Sequence, residues 1–115
     1  MGRRLNRGDV RCCSFDPPDK RRPVVILTRS STLPAINSVT VAPVTRTVRN
    51  VPSQIVVGPE DGLPYPSAVN LQNVQTVSKS RMGALICTLS PHHMAAIADA
   101  QAFALGFDED VAFLR

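Results

Sequence analysis

Val24-Val25-Ile26-Leu27-Thr28 and Ser38-Val39-Thr40-Val41-Ala42-Pro43-Val44 are two runs rich in residues branched at Cβ. Such side chains are stiff about χ1 and fit the pleated surface of a sheet better than the wall of a helix. Shorter runs of the same character lie outward from them, at Asp9 to Phe15, Gln54 to Val57, Ala68 to Val77 and Leu85 to Thr88. Prolines, glycines, asparagines and aspartates fall between them, and no helical period interrupts them before the last quarter of the chain. This is the pattern of a compact β-barrel, not of an alternating βαβ sheet. Asp16-Pro17-Pro18-Asp19 makes the first connection short and stiff, because each proline fixes φ and lacks an N–H. Gly58 to Pro66, with three prolines and two glycines, forms a second loop.

One helix is expected, from Ser90-Pro91 to Gly106. Serine is a good N-cap, and proline at the first helical position loses no hydrogen bond. Met94, Ile97, Ala98 and Leu105 form one apolar stripe and Ala96, Ala100, Phe103 and Phe107 another, which leaves a narrow polar strip around Asp99 and Gln101. A helix of this kind needs cover on two sides. A barrel on one side and a second subunit on the other would provide it, and so would a deep core within one subunit. Asp108-Glu109-Asp110 and the apolar Val111-Ala112-Phe113-Leu114 that follow have no place in this scheme.

The chain has 115 residues, enough for one hydrophobic core and too few for two stable ones. Its net charge of +4 is unevenly spread: residues 1–49 carry +7 and residues 50–115 carry −3. The basic part could meet a polyanion or could be a solvated surface. Cys12, Cys13 and Cys87 are odd in number, and in a strand the adjacent pair would face opposite sides, so no disulfide framework follows. Free thiols fit a reducing compartment, and we expect a cytoplasmic protein. No apolar stretch is long enough to span a bilayer, and the N-terminal residues show no signal-peptide core.

GxGxxG, P-loop, HExxH and GxSxG motifs are all absent, which removes the common nucleotide, zinc-protease and serine-hydrolase readings. His92 and His93 are adjacent on the helix, so their side chains diverge by about 100° and cannot both bind one ion unaided. A solvated helix start is the simpler reading. Asp9, Asp16 and Asp19 lie at strand ends and turns, where acids serve local hydrogen bonding. No metal site and no cofactor is expected. What remains is Lys20-Arg21-Arg22-Pro23 entering one strand and Pro43-Val44-Thr45-Arg46-Thr47 leaving another. A guanidinium grips phosphate oxygens in pairs, and a threonine hydroxyl can donate to a nonbridging oxygen. Together they could stabilise the charge that builds on phosphorus when a ribose 2′-OH attacks the adjacent phosphodiester, a reaction that needs no metal. From residue types alone, Arg22 could equally be an ordinary surface charge.

In order and spacing the chain resembles the MazF/PemK toxins. The motifs are Arg7-Gly8-Asp9-Val10, Phe15-Asp16-Pro17, Arg21-Arg22-Pro23-Val24-Val25-Ile26-Leu27, Val41-Ala42-Pro43-Val44-Thr45, Pro59-Glu60-Asp61-Gly62-Leu63-Pro64, Ser67-Ala68-Val69-Asn70-Leu71 and Thr76-Val77-Ser78-Lys79-Ser80-Arg81. The resemblance covers roughly residues 7–107. It implies a mainly β, SH3-like barrel with a C-terminal helix, a homodimer, and a toxin paired with an antitoxin. It also implies metal-independent, sequence-selective cleavage of single-stranded RNA to 2′,3′-cyclic phosphate and 5′-hydroxyl ends. The family's catalytic arginine and threonine fall on Arg22 and Thr45, the two residues reached from the chemistry.

A guanidinium is a poor proton acceptor, so Arg22 is assigned as transition-state stabiliser and proton donor, with Thr45 holding the phosphate. The attacking hydroxyl would lose its proton to water or another group. Lys20, Arg21, Arg46 and Arg49 are the candidates for backbone binding, and an acidic antitoxin segment would lie over them. Asn70 and Gln72 also fall at RNA-site positions, where the PemK branch carries an arginine and an aspartate, and neither can act as a charged acid or base. Arg11 stands where an aromatic is usual, and the first connecting loop is short, so no cleavage sequence carries over. Two rivals stay open: a non-catalytic binder of the same fold, similar to the gyrase-binding CcdB toxins, and a degenerate member that binds without turnover.

Overall fold

The computed structural model describes residues 4–17, 20–107 and 109. Seven strands run through it: β1 (Asp9–Ser14), β2 (Arg21–Ile26), β3 (Ser38–Thr45), β4 (Gln54–Val57), β5 (Ser67–Asn70), β6 (Gln75–Ser78) and β7 (Met82–Thr88). One helix, α1 (Pro91–Ala104), follows. All the pairings are antiparallel, in the order β4-β5-β3-β2-β1-β7, with β6 also bonded to β3. β3 therefore sits at the centre: its first half pairs with β6 and its last two residues with β5.

The unbroken apolar run of β2 has a physical reason. Successive strand residues point to opposite faces, and here both faces are covered. Val25 and Leu27 enter a core that includes Val10, Ala42, Val44, Leu89, Ile97 and Ala100, while Val24 and Ile26 enter a second core with Cys13, Leu33, Val39 and Val41. The adjacent cysteines behave as the alternation requires, with Cys13 fully buried and Cys12 only partly so.

Three expectations need correction. The run from Ala68 to Val77 is not one strand, because a 3₁₀ turn at Leu71–Asn73 divides it into β5 and β6. The Asn70 side chain accepts a hydrogen bond from the Gln72 N–H at 3.1 Å, the local competition with sheet pairing that asparagine offers. β2 begins at Arg21, not Val24, since β1 pairs with it as far as Ser14 opposite Arg21. β7 begins at Met82, three residues before Leu85.

The helix starts as expected, with the Ser90 Oγ accepting from the His93 N–H at 3.1 Å. Its buried line is Ile97 and Ala100, with Met94 and Ala104 packed beside them, so one member comes from each expected stripe. Phe103 and Leu105 are more than half exposed. Apart from Glu109, the acidic and apolar tail lies outside the described residues, as do Pro18 and Asp19 of the first connection. Among the described residues no helix is long and apolar enough to cross a membrane.

Candidate functional site

Arg22 and Thr45 line the same groove. Val24 stands opposite Pro43 and Val25 opposite Ala42, and Arg22 and Thr45 each lie two residues beyond the last bonded pair of β2 and β3. The groove is open and of about 600 Å³, of a size that takes small ligands. Arg21 and Arg46 line it too, and among the described residues no acidic side chain does. Three arginines and the Thr45 hydroxyl thus share one groove. The groove is a place for an anion.

Thr45 Oγ1 accepts the N–H of Thr47 at 3.1 Å, so the lone pair used there leaves the O–H to donate outward. The stretch after Thr45 is held by Gln54, whose side chain accepts from the Arg49 N–H at 2.8 Å and donates to the Thr47 carbonyl at 3.3 Å.

A second wall comes from the loop before β5, which contributes Leu63, Pro64, Tyr65 and Ser67. The loop is built to stay in place. Leu63 is buried in the first core. Asp61 accepts the Gly58 N–H at 2.9 Å, and the Ser67 hydroxyl donates to the Tyr65 carbonyl at 2.9 Å. Gly62 takes a φ of +101°, and a Cβ there would lie 2.7 Å from that of Cys87, so glycine is required on both counts. Tyr65 was legible in the sequence only as the chain's one tyrosine, and the wall was missed because nothing local joins residues 63–67 to the ends of β2 and β3. The Arg46 guanidinium carbon lies 3.9 Å from the centroid of the Tyr65 ring, a cation–π contact.

Other expected RNA-binding residues do not line this groove. Lys20 occupies the turn between β1 and β2, where its carbonyl accepts the Phe15 N–H and its φ is +57°. Arg49 is exposed on the loop before β4. Asn70 caps the 3₁₀ turn, and Gln72 borders a separate hollow beside Phe103 and Leu105. Arg11 points elsewhere: it is buried, donates to the Gly83 carbonyl at 2.8 Å and stands 3.9 Å from the Asp9 carboxylate. Asp9 in turn accepts from Thr88 Oγ1 and the Asn6 N–H, both at 3.0 Å. That polar cluster ties β1 to β7. His93 lies 3.3 Å from Asp61, and with His92 makes an edge-on ring pair, so the two histidines serve the helix start and the loop beside it.

Comparison with known proteins identifies the family. Residues 6–104 match the model of the PemK-like, MazF-like toxins of type II toxin–antitoxin systems. Endoribonuclease MazF3 of Mycobacterium tuberculosis is 40% identical over 94 residues, which cover 82% of this chain and 91% of that one. The solved Mycobacterium tuberculosis toxin MazF-mt6 superposes with a TM-score of 0.79 at 36% identity, over 85% of this chain and 96% of that one. An endoribonuclease in complex with its cognate antitoxin, from Mycobacterial species, gives a TM-score of 0.79 at 29% identity over 89% and 95%. The curled antiparallel sheet with its terminal helix is the SH3-like barrel of these toxins. By sequence match and by fold, the chain belongs to the PemK-like, MazF-like toxins of type II toxin–antitoxin systems.

Proposed function

We propose that this endoribonuclease toxin cuts single-stranded RNA in the groove between β2 and β3, with Arg22 and Thr45 as its catalytic pair. The observation that supports the reading is the groove that Arg22 and Thr45 line together with two further arginines. The ribose 2′-OH attacks the adjacent phosphorus, and the bond to the 5′-oxygen of the next nucleotide breaks. The products are a 2′,3′-cyclic phosphate and a 5′-hydroxyl end. Arg22 stabilises the charge gathered on the nonbridging oxygens and protonates the leaving oxygen, while the Thr45 hydroxyl holds the phosphate. The attacking hydroxyl gives its proton to water or to another group.

Arg21 and Arg46 grip the flanking backbone. Lys20 and Arg49 extend the positive field beyond the groove, and Asn70 and Gln72, outside its lining, bind RNA further along without taking part in proton transfer. The partners in this reading are single-stranded RNA, a second copy of the chain against the exposed end of α1, and an antitoxin whose acidic segment covers the arginines. The reaction takes place in the cytoplasm, in keeping with three free thiols.

Mixed-sequence RNA oligonucleotides in excess EDTA test the chemistry, beside copies with 2′-deoxyribose at the cut position. We expect cleavage of the ribose substrate alone. Intact RNA would remove the enzyme reading and favour a binder without turnover; equal cutting of the deoxy substrate would remove 2′-OH attack.

A further inference from the structure

We propose that Tyr65, braced by Arg46, is a nucleobase platform that determines which nucleotide is held beside the scissile phosphate. The inference rests on the RNA-cutting reading of the groove and names a contact within it. An isolated exposed aromatic would mean little, since apolar groups are common on protein surfaces. Three observations set Tyr65 apart. It is about half exposed, at 49%, yet lies in the same groove as Arg22 and Thr45. Its backbone has little freedom, because Pro64 and Pro66 flank it and the Ser67 hydroxyl holds its carbonyl. Its ring already carries the Arg46 guanidinium at 3.9 Å.

A nucleotide has two chemically different ends, a charged phosphate and a flat, weakly polar base. The groove is divided in the same way. Arg21, Arg22 and Thr45 provide for the phosphate, whereas Tyr65 and the partly exposed Ile86 provide π and apolar surface. Bases of RNA single strands are splayed out and stacked on aromatic rings or guanidinium planes, and an arginine–tyrosine stack offers both surfaces. A rigid ring also loses little conformational freedom on binding. Stacking alone tolerates every base, so discrimination falls to the tyrosine hydroxyl and the Arg46 N–H groups at the edge of the stack.

The sequence supplies a direct reporter, since it contains one tyrosine and no tryptophan. Intrinsic emission therefore comes from Tyr65 alone. The full chain is titrated with an uncleavable, dye-tagged 2′-O-methyl RNA of mixed sequence and with the same backbone carrying abasic residues, with N-acetyltyrosinamide correcting for absorbance. Binding is followed by anisotropy of the dye. We expect saturable quenching of tyrosine emission by the base-bearing strand and binding without quenching by the abasic strand. Binding of the base-bearing strand with unchanged emission would overturn the platform, whether or not RNA is cut.

In cleavage assays Tyr65→Leu should raise KM roughly ten- to a hundredfold with kcat little changed, and Tyr65→Phe should restore KM while altering base preference. Abasic substitution next to the cut should penalise the native protein and cost Tyr65→Leu nothing further. An undiminished penalty in that variant would also overturn the platform. Quenching without cleavage would retain the platform and remove the catalytic reading, so the two fail separately.

Discussion

Arg22 brings a positive charge and N–H donors to the groove that Thr45 also lines. A shorter neutral side chain should remove both the charge and the proton donor without disturbing the barrel. Arg22→Ala and Thr45→Ala are each expected to lower the cleavage rate by a hundredfold or more, on the order of an oxyanion-hole deletion. The thermal midpoint should stay within a few degrees, as for most substitutions away from the core. A collapse in stability would instead make the pair structural. The thiols give a second prediction at this scale. Burial first, then Asp61 and Asp9, hold the Cys87 thiol above its ordinary value of 9.0. Burial raises Cys13 as well, opposed in part by Arg81 and aided by Cys12. As pH rises, the unfolded chain then ionises first and binds fewer protons than the folded one. Stability is thus untouched below the ordinary thiol range and falls above it. Urea midpoints measured between about pH 7 and about pH 10 should decline only in the upper part, and less steeply in Cys87→Ala.

Elements bring the groove together by two devices, strand register and a pinned loop. The register follows from the alternating apolar faces of β2 and β3, since a slip of one residue would turn Val24 and Val25 into each other's cores. The loop depends on Gly62, where both the backbone angle and the nearness of Cys87 exclude a side chain. Gly62→Ala should cost about 2–4 kcal/mol, from the left-handed conformation and the overpacking combined. Because the displaced loop bears Tyr65, RNA affinity in this variant should fall even where the protein remains folded. Parallel denaturation and anisotropy measurements would show both losses; a stable variant with normal binding would mean the loop does not set the wall.

For the whole molecule, the most conspicuous surface is the far end of α1, where Phe103, Leu105 and Phe107 are 52%, 55% and 54% exposed. Apolar groups concentrated in this way call for a cover. Sedimentation equilibrium should report about twice the 12.4 kDa of one chain, and Phe103→Glu with Leu105→Glu should give the single mass. A native protein that sediments as one chain would remove the homodimer. Charge operates at the same scale. The lining arginines all belong to the basic first part of the chain, which carries +7, so an acidic antitoxin should bind less tightly as salt rises. A pull-down insensitive to salt would point to an apolar contact instead.

The order of short strands and the N-capped helix were legible in the sequence. They depend on local properties, namely side-chain branching and proline geometry. The split between β5 and β6 was not, because Asn70 decides it by a local hydrogen bond that competes with a run otherwise suited to one strand. The helix face was not legible either: Ile97 and Ala100 come from different apolar stripes, and only the shape of the sheet beneath selects between faces that are both hydrophobic. The same division holds at the groove. Residue chemistry singled out Arg22 and Thr45, but their meeting in one groove, the exclusion of Asn70 and Gln72 from that lining, and the arrival of Tyr65 over Arg46 all rest on contacts between residues far apart in the chain. Such contacts depend on how two faces of one sheet are packed, which no local stretch of sequence contains.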